Sequence, residues 1–184
     1  MKTLAIIILV ILFVIFISVL VYVVKTRNYF KTQKQDIERA KSRIEIALTD
    51  RYDTLVKLNS TVNGYTGHES NILENITKLR RGMSGEELSE VNNEIGNAYS
   101  KINALVENYP DLKASRNFLQ LQETVVDLEN TLQATRRIYN EEVGLYNKRI
   151  ETFPSNLIAN SMQIQLESYF EAEEHKRADV ELKF

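Results

Sequence analysis

The chain has 184 residues, a formal net charge of −2, six glycines, two prolines and no cysteine. The lack of cysteine excludes disulfides, thiolate metal sites and thiol catalysis, and the near-balanced charge implies no dominant basic surface for nucleic acid. So few turn-forming residues argue against an all-β or α/β chain and for long helices.

Leu4 to Val24 contains no charge, and Ser18 is its only clearly polar residue. At about 1.5 Å per residue the stretch makes a helix of ~31 Å, the thickness of the hydrocarbon layer of a bilayer. A cleaved signal peptide has a shorter apolar core followed by small residues, and SVLVYVVKTR offers no such site. The expectation is a single uncleaved transmembrane helix over 4–24, after a short tail at 1–3 and before a basic juxtamembrane segment at 25–35. Lys25, Arg27, Lys31 and Lys34 follow the span, against Lys2 before it. The positive-inside rule then puts the N-terminus outside the cell membrane and the remainder in the cytoplasm. The same basic run suits anionic headgroups of the lipid bilayer.

Residues 36–184 read as a helical bundle domain. From Ile37, apolar residues recur at three and four through Ala40, Ile44, Ala47, Leu48, Tyr52, Leu55, Leu58, Val62 and Tyr65, and more weakly through Ile72, Leu73, Ile76 and Leu79. That spacing predicts one long amphipathic helix, or two nearly collinear ones, with Gly64 and Gly67 as a weak point. RRGMSGEE at 80–87 is a break, and Ser84 with Glu87 three residues on has the spacing of a capping box. A third segment runs from about Glu86 to Asn108. YPDLKAS then turns the chain, with Pro110 and Asp111 suited to a turn or a helix start.

A fourth segment spans about Leu112 to Phe153. Phe118, Val125, Leu132, Tyr139, Tyr146 and Phe153 stand seven apart, and their partners drift from three to four residues later, as a straight 3.6-residue helix requires. Tyr139 and Tyr146 therefore continue a core stripe, with Asn140 and Asn147 beside it. Pro154 is expected to stop this helix at Phe153. From Ser155 a further helix, continuous or broken, is expected to end near Lys176, with Val180, Leu182 and Phe184 in a small extended piece. The fold expected is all-α: an antiparallel bundle of about four long helices behind a single N-terminal transmembrane helix.

The motifs of catalysis are missing. The positions three before His68 and His175 are Tyr65 and Ala172, so the Glu-x-x-His of di-iron bundles is absent. His68–Glu69 is followed by Ile72, which fails the zinc-protease pattern. Glu171 and His175 read as a helical ion pair, and the paired carboxylates read as solvated faces. No catalytic, cofactor-binding or metal-binding residue is assigned, and no cofactor. The polar cluster with most promise is Arg136, Arg137, Tyr139, Asn140, Tyr146 and Asn147. Its structural account is ion pairing by the arginines and local hydrogen bonding by Tyr and Asn. Its functional account is a recognition surface.

RYDTLVKL (51–58), GYTGHE (64–69), YPDLKASRNFLQLQE (109–123), LENTLQATRRIYNEEVGLYN (128–147), FPSNLIA (153–159) and the acidic end FEAEEHKRADVELKF together resemble the LemA family. The chain departs from the family pattern in TLVKL, where a proline and a further basic residue are usual, and in NSMQIQLESYF, where Gly-Phe is usual. The resemblance implies a membrane-anchored bundle of long antiparallel helices, and it implies no reaction. The function expected is a non-catalytic scaffold or adaptor that recruits a protein partner at the membrane, not an enzyme. Two alternatives are an enzyme or ligand-binding protein with a polar site between the helices, and a membrane-shaping or lipid-binding protein.

Overall fold

The computed structural model describes residues 2–66, 72, 73, 76, 79, 80 and 82–171. Regular structure among them is entirely helical: α1 Lys2–Thr66, α2 Gly85–Val106, α3 Pro110–Lys113, α4 Arg116–Glu151 and α5 Ser155–Ser161. The chain is all-α.

The apolar stretch, the basic segment and the first amphipathic segment form one uninterrupted helix, α1. No glycine or proline precedes Gly64, so nothing interrupts its hydrogen-bond ladder. Ser18 gives its hydroxyl proton to the Val14 carbonyl at 2.8 Å, which satisfies the one polar side chain of the apolar part internally. The helix ends at Thr66 rather than continuing toward Leu79; Ile72, Leu73, Ile76 and Leu79 are not helical. Gly67, His68 and Glu69 lie outside the described residues.

One seam of α1 is buried. Phe30, Ile37, Ile44, Arg51 and Leu58 lie seven apart on it, and Gln33, Ala40, Ala47 and Thr54 form the second row. This is a 3.5-residue repeat, in which every third and fourth residue meets a neighbouring helix. It buries Arg51, whereas the apolar pattern alone selects Tyr52.

The described chain packs as two units, one of residues 1–38 with 142–167 and one of 39–141 with 168–184. In the second unit, α2 begins with Ser84, whose Oγ accepts from Glu87 N–H at 3.1 Å while the Glu87 carboxylate accepts from Ser84 N–H at 2.7 Å. These bonds satisfy two amide groups that a helix start leaves without partners. The Ser84 backbone hydrogen bond, helped by Arg80, holds the Glu87 carboxyl below the usual glutamate range. Leu88, Val91, Ile95, Ala98, Ile102 and Val106 are the apolar residues of its buried face.

Arg51 meets Asn92 and Tyr65 meets Tyr109, so α2 lies beside α1 and points the same way. Arg51 also meets Glu129, and Gly85 lies against Tyr139, so α4 opposes α2. Of the described residues between the two helices, Ile72 and Ile76 lie beside Ala98 and Lys101 of α2. Pro110 starts the single turn α3, and Ser115 Oγ accepts from Phe118 N–H at 3.3 Å to open α4 at Arg116, later than Leu112.

The three long helices of this unit are tied at one point. Arg51, 8% exposed, donates to the Asn92 carboxamide oxygen and to Glu129 at 2.8 Å. A buried guanidinium needs both its counter-charge and its hydrogen bonds. Glu129→Ala is expected to cost about 3 kcal/mol, within the range for removing one partner of a buried pair. Arg51→Met, which keeps the aliphatic stem and removes the charge, should cost less. Urea titration of the two variants checks the order.

Candidate functional site

Six polar residues of α4 were selected by sequence, and the structure separates them by role. Arg137 is exposed and Arg136 half-buried; among the described residues neither pairs with a carboxylate. Tyr139, Asn140, Tyr146 and Asn147 turn toward the protein instead.

In the second unit, Tyr139 is 1% exposed and its Oη donates to the Ser168 carbonyl at 2.9 Å. Asn140 makes two bonds to one peptide: its Nδ2 donates to the Phe170 carbonyl and its Oδ1 accepts from Phe170 N–H, both at 2.9 Å. Ser89 Oγ accepts from Glu171 N–H at 2.8 Å, and Gly85 N–H donates to Ser168 Oγ at 3.2 Å. The backbone of 168–171 thus lies between α2 and α4, and its polar groups are met by side chains. Phe170, 1% exposed, is the apolar anchor of the same segment.

The first unit repeats this chemistry. Asn147 Nδ2 donates to the Glu167 carbonyl at 2.8 Å, and its Oδ1 accepts from Glu167 N–H at 2.9 Å. A carboxamide has the same donor–acceptor geometry as a peptide group, so each asparagine stands in for one peptide of a neighbouring strand. These bonds explain a correction. A helix running to Lys176 is not formed: α5 stops at Ser161, and 164–171 is non-helical because asparagine and serine side chains satisfy it. Residues 172–184, with His175, Val180, Leu182 and Phe184, lie outside the described residues.

Tyr146, 5% exposed, packs edge-on against Phe30 with ring centroids 5.8 Å apart and planes at 90°. The Arg149 guanidinium lies over Tyr29 at 5.3 Å. Phe30 meets Tyr146 and Gln33 donates to Glu142, so α1 and α4 run antiparallel in this unit, and Lys34 donates to Glu167. Phe153 does not continue the stripe of Tyr139 and Tyr146. α4 ends at Glu151, which takes Phe153 out of phase, and it is 74% exposed. Sequence reasoning also missed Arg51 and Gln33, although the seven-residue rows through Ile37–Ile44–Leu58 and Ala40–Ala47 pass through both.

Burial alone would lower the Lys34 pKa, but its hydrogen bond to Glu167, and the charges of Glu167, Glu38 and Tyr146, outweigh that and hold it above the ordinary lysine value. Burial raises the Tyr146 hydroxyl, Glu167 raises it further and Lys34 opposes. The Tyr139 hydroxyl and the Asn140 and Asn147 carboxamides bind the chain's own backbone. Their chemistry is to fasten a segment.

The model of the LemA family matches residues 40–184. The protein LemA of Metamycoplasma hominis is 30% identical, over 92% of this chain and 80% of its own length. The magnetosome protein MamQ of Magnetospirillum gryphiswaldense is 24% identical over 78% of this chain, which spans 64% of that relative. A MamQ protein of Paramagnetospirillum magneticum is likewise 24% identical.

Two expected outcomes follow from this geometry. A Cβ on Gly85 would lie 2.5 Å from the Ser168 carbonyl oxygen and 2.9 Å from Tyr139 Oη. Gly85→Ala is therefore expected to destabilise by about 1–3 kcal/mol, the usual cost of overpacking. Gly64 has nothing within 4 Å of such an atom, and Gly64→Ala should stabilise α1 by up to roughly 1 kcal/mol. Thermal unfolding of the pair measures both signs. The second concerns pH. Lys34 and Tyr146 both have raised folded pKa values, so the folded state retains protons that the unfolded state releases in alkali. That stability is fully present below the unfolded values and is lost as pH rises through the folded ones, beginning at about pH 10. Melting curves across this range should fall more steeply for the natural chain than for Lys34→Met.

Proposed function

The chain belongs to the LemA family, and from that premise we propose that it is a non-catalytic scaffold, held at the cell membrane by the first part of α1 and presenting its bundle to a protein partner in the cytoplasm. The observation that carries this reading is the continuity of α1. Its N-terminal part is the one span candidate among the described residues, with none of its apolar window buried in the protein. Further along, the same helix provides the buried seam of the bundle. An unburied apolar helix of this length has lipid as its natural solvent. The same helix thus carries both the span candidate and the buried seam, as a scaffold held at a membrane requires.

The polar residues of α4 support the same reading, because the groups with most chemical potential bind backbone. Two relatives bear the name of a structure, the magnetosome, rather than of a reaction. The basic residues after the span favour a cytoplasmic bundle. The outer side of α4, with exposed Arg137 and with Val126 58% exposed, is the surface offered to a partner.

Because the chain has no cysteine, a single introduced thiol reports one position. Val126→Cys in intact cells should resist an impermeant thiol reagent and react after permeabilisation; reaction in intact cells would reverse the orientation. A photo-crosslinking residue at Val126 or at Arg137 should yield discrete adducts with a second protein. Self-adducts alone at both sites would reject the scaffold.

A further inference from the structure

The end of α4 and the helix α5 form a tip whose composition the bundle does not explain. No residue from Thr152 to Leu166, TFPSNLIANSMQIQL, is charged; Glu151 and Glu167 bound it. Phe153 is 74% exposed, Leu157 61% and Leu166 54%. Surface helices and turns in water normally carry charge, and a cluster of large apolar side chains outside the core marks a contact with something apolar.

The structure locates that contact. A groove of about 570 Å³ lies between the tip and α1, lined by Val14, Ser18 and Tyr22 on one side and Pro154, Leu157 and Ile158 on the other. All of these belong to a single unit. The α1 residues are inside the apolar stretch that ends at Val24. At about 1.5 Å per residue, Ser18 is ~9 Å and Val14 ~15 Å from that end. Half of a hydrocarbon layer of about 30 Å is the same depth. If α1 spans the bilayer, its packing leaves the tip nowhere to lie except in the adjoining leaflet.

The geometry points to a second membrane-seated element: residues 152–161 enter the leaflet that α1 crosses last, with Phe153 and Leu157 among the acyl chains and the groove filled by a phospholipid acyl chain. This inference rests on α1 being a span. Three independent features agree on the occupant. The tip lacks charge over the whole stretch that would be immersed. The first charge on α1 after the groove is Lys25, and the last on α4 before the tip is Glu151, so charge stops and starts where both helices meet the edge of the apolar layer. The groove opens on the flank of the apolar stretch and continues its surface. The backbone can tolerate this depth because α5 is helical, and Ser155 and Ser161 give their hydroxyl protons to nearby carbonyls, Arg149 at 2.7 Å and Ile158 at 2.7 Å.

The test uses the full chain in phosphatidylcholine–phosphatidylglycerol vesicles, with one environment-sensitive fluorophore at Phe13→Cys, Phe153→Cys, Leu157→Cys or Val126→Cys. Phe13 reports the span and Val126 the bundle. The expected result is a blue-shifted emission at Phe153 and Leu157, quenched by acyl-chain spin labels as strongly as at Phe13 and untouched by aqueous iodide, with the reverse at Val126. Lipid quenching at Phe13 together with iodide quenching at Phe153 and Leu157 would overturn the inference and keep the span. Shielding of Phe153 and Leu157 from both quenchers would overturn it in favour of a second copy in the groove. Iodide quenching at Phe13 would remove the span and the inference with it.

Discussion

A peptide backbone that leaves a helix inside a protein must find other partners for its N–H and C=O groups, and this constraint governs the C-terminal half of the molecule. After Ser161, as far as Glu171, the chain has no helix to satisfy it and no sheet to join. Asn147 serves the Glu167 peptide, Asn140 serves Phe170, and Ser89 takes the Glu171 N–H. An unsatisfied buried group costs about 1–3 kcal/mol, so these few side chains decide whether the segment can pack at all. The two asparagines stand one heptad apart, next to tyrosines on the core stripe. The Tyr-Asn repeat is thus the imprint of a fastening in which the ring fills space and the amide beside it holds a backbone.

The same pairing accounts for the glycine that opens α2. Gly85 gives its N–H to Ser168 and leaves room for the Ser168 carbonyl where any other residue would put a Cβ. Elsewhere the polar burial is concentrated at Arg51, where Asn92 and Glu129 meet one guanidinium. Ion pairs of this kind add little net stability but discriminate strongly against wrong helix registers, because a shifted register leaves a charge without its partner. In this bundle the apolar rows set the affinity of the helices and the Arg51 tie sets their alignment.

Much of this was legible beforehand. The all-α class followed from the scarcity of glycine and proline, and the α2 start from Ser84 and Glu87. The stripe from Phe118 to Tyr146 was readable from its spacing. What escaped had a physical reason. Apolar spacing selects Tyr52 over Arg51, because it cannot see a buried charge whose partners are 41 residues away or further. The helix-favouring composition of 164–171 gave no hint that side chains from other helices would claim its backbone. Phe153 kept the heptad in the sequence while the helix beneath it had already ended, so the pattern outlasted its cause. The inward roles of Asn140 and Asn147 could have been suspected from their place beside the stripe, but the segment they grip could not be named.

The long separation of contacting residues also orders events while the chain is being made. Gln33 meets Glu142 across 109 residues of sequence, and Phe30 meets Tyr146 over a similar interval. The ribosome delivers the apolar start of α1 first, and at elongation rates of about 5–20 residues per second the matching end of α4 follows several seconds later. Through that interval the seam around Phe30 and Ile37 lacks the α4 residues that cover it, while Lys25, Arg27, Lys31 and Lys34 place charge along the same stretch. A half-interface that waits for its complement is thus flanked by charge, which opposes its association with other apolar surfaces until that complement has been synthesised.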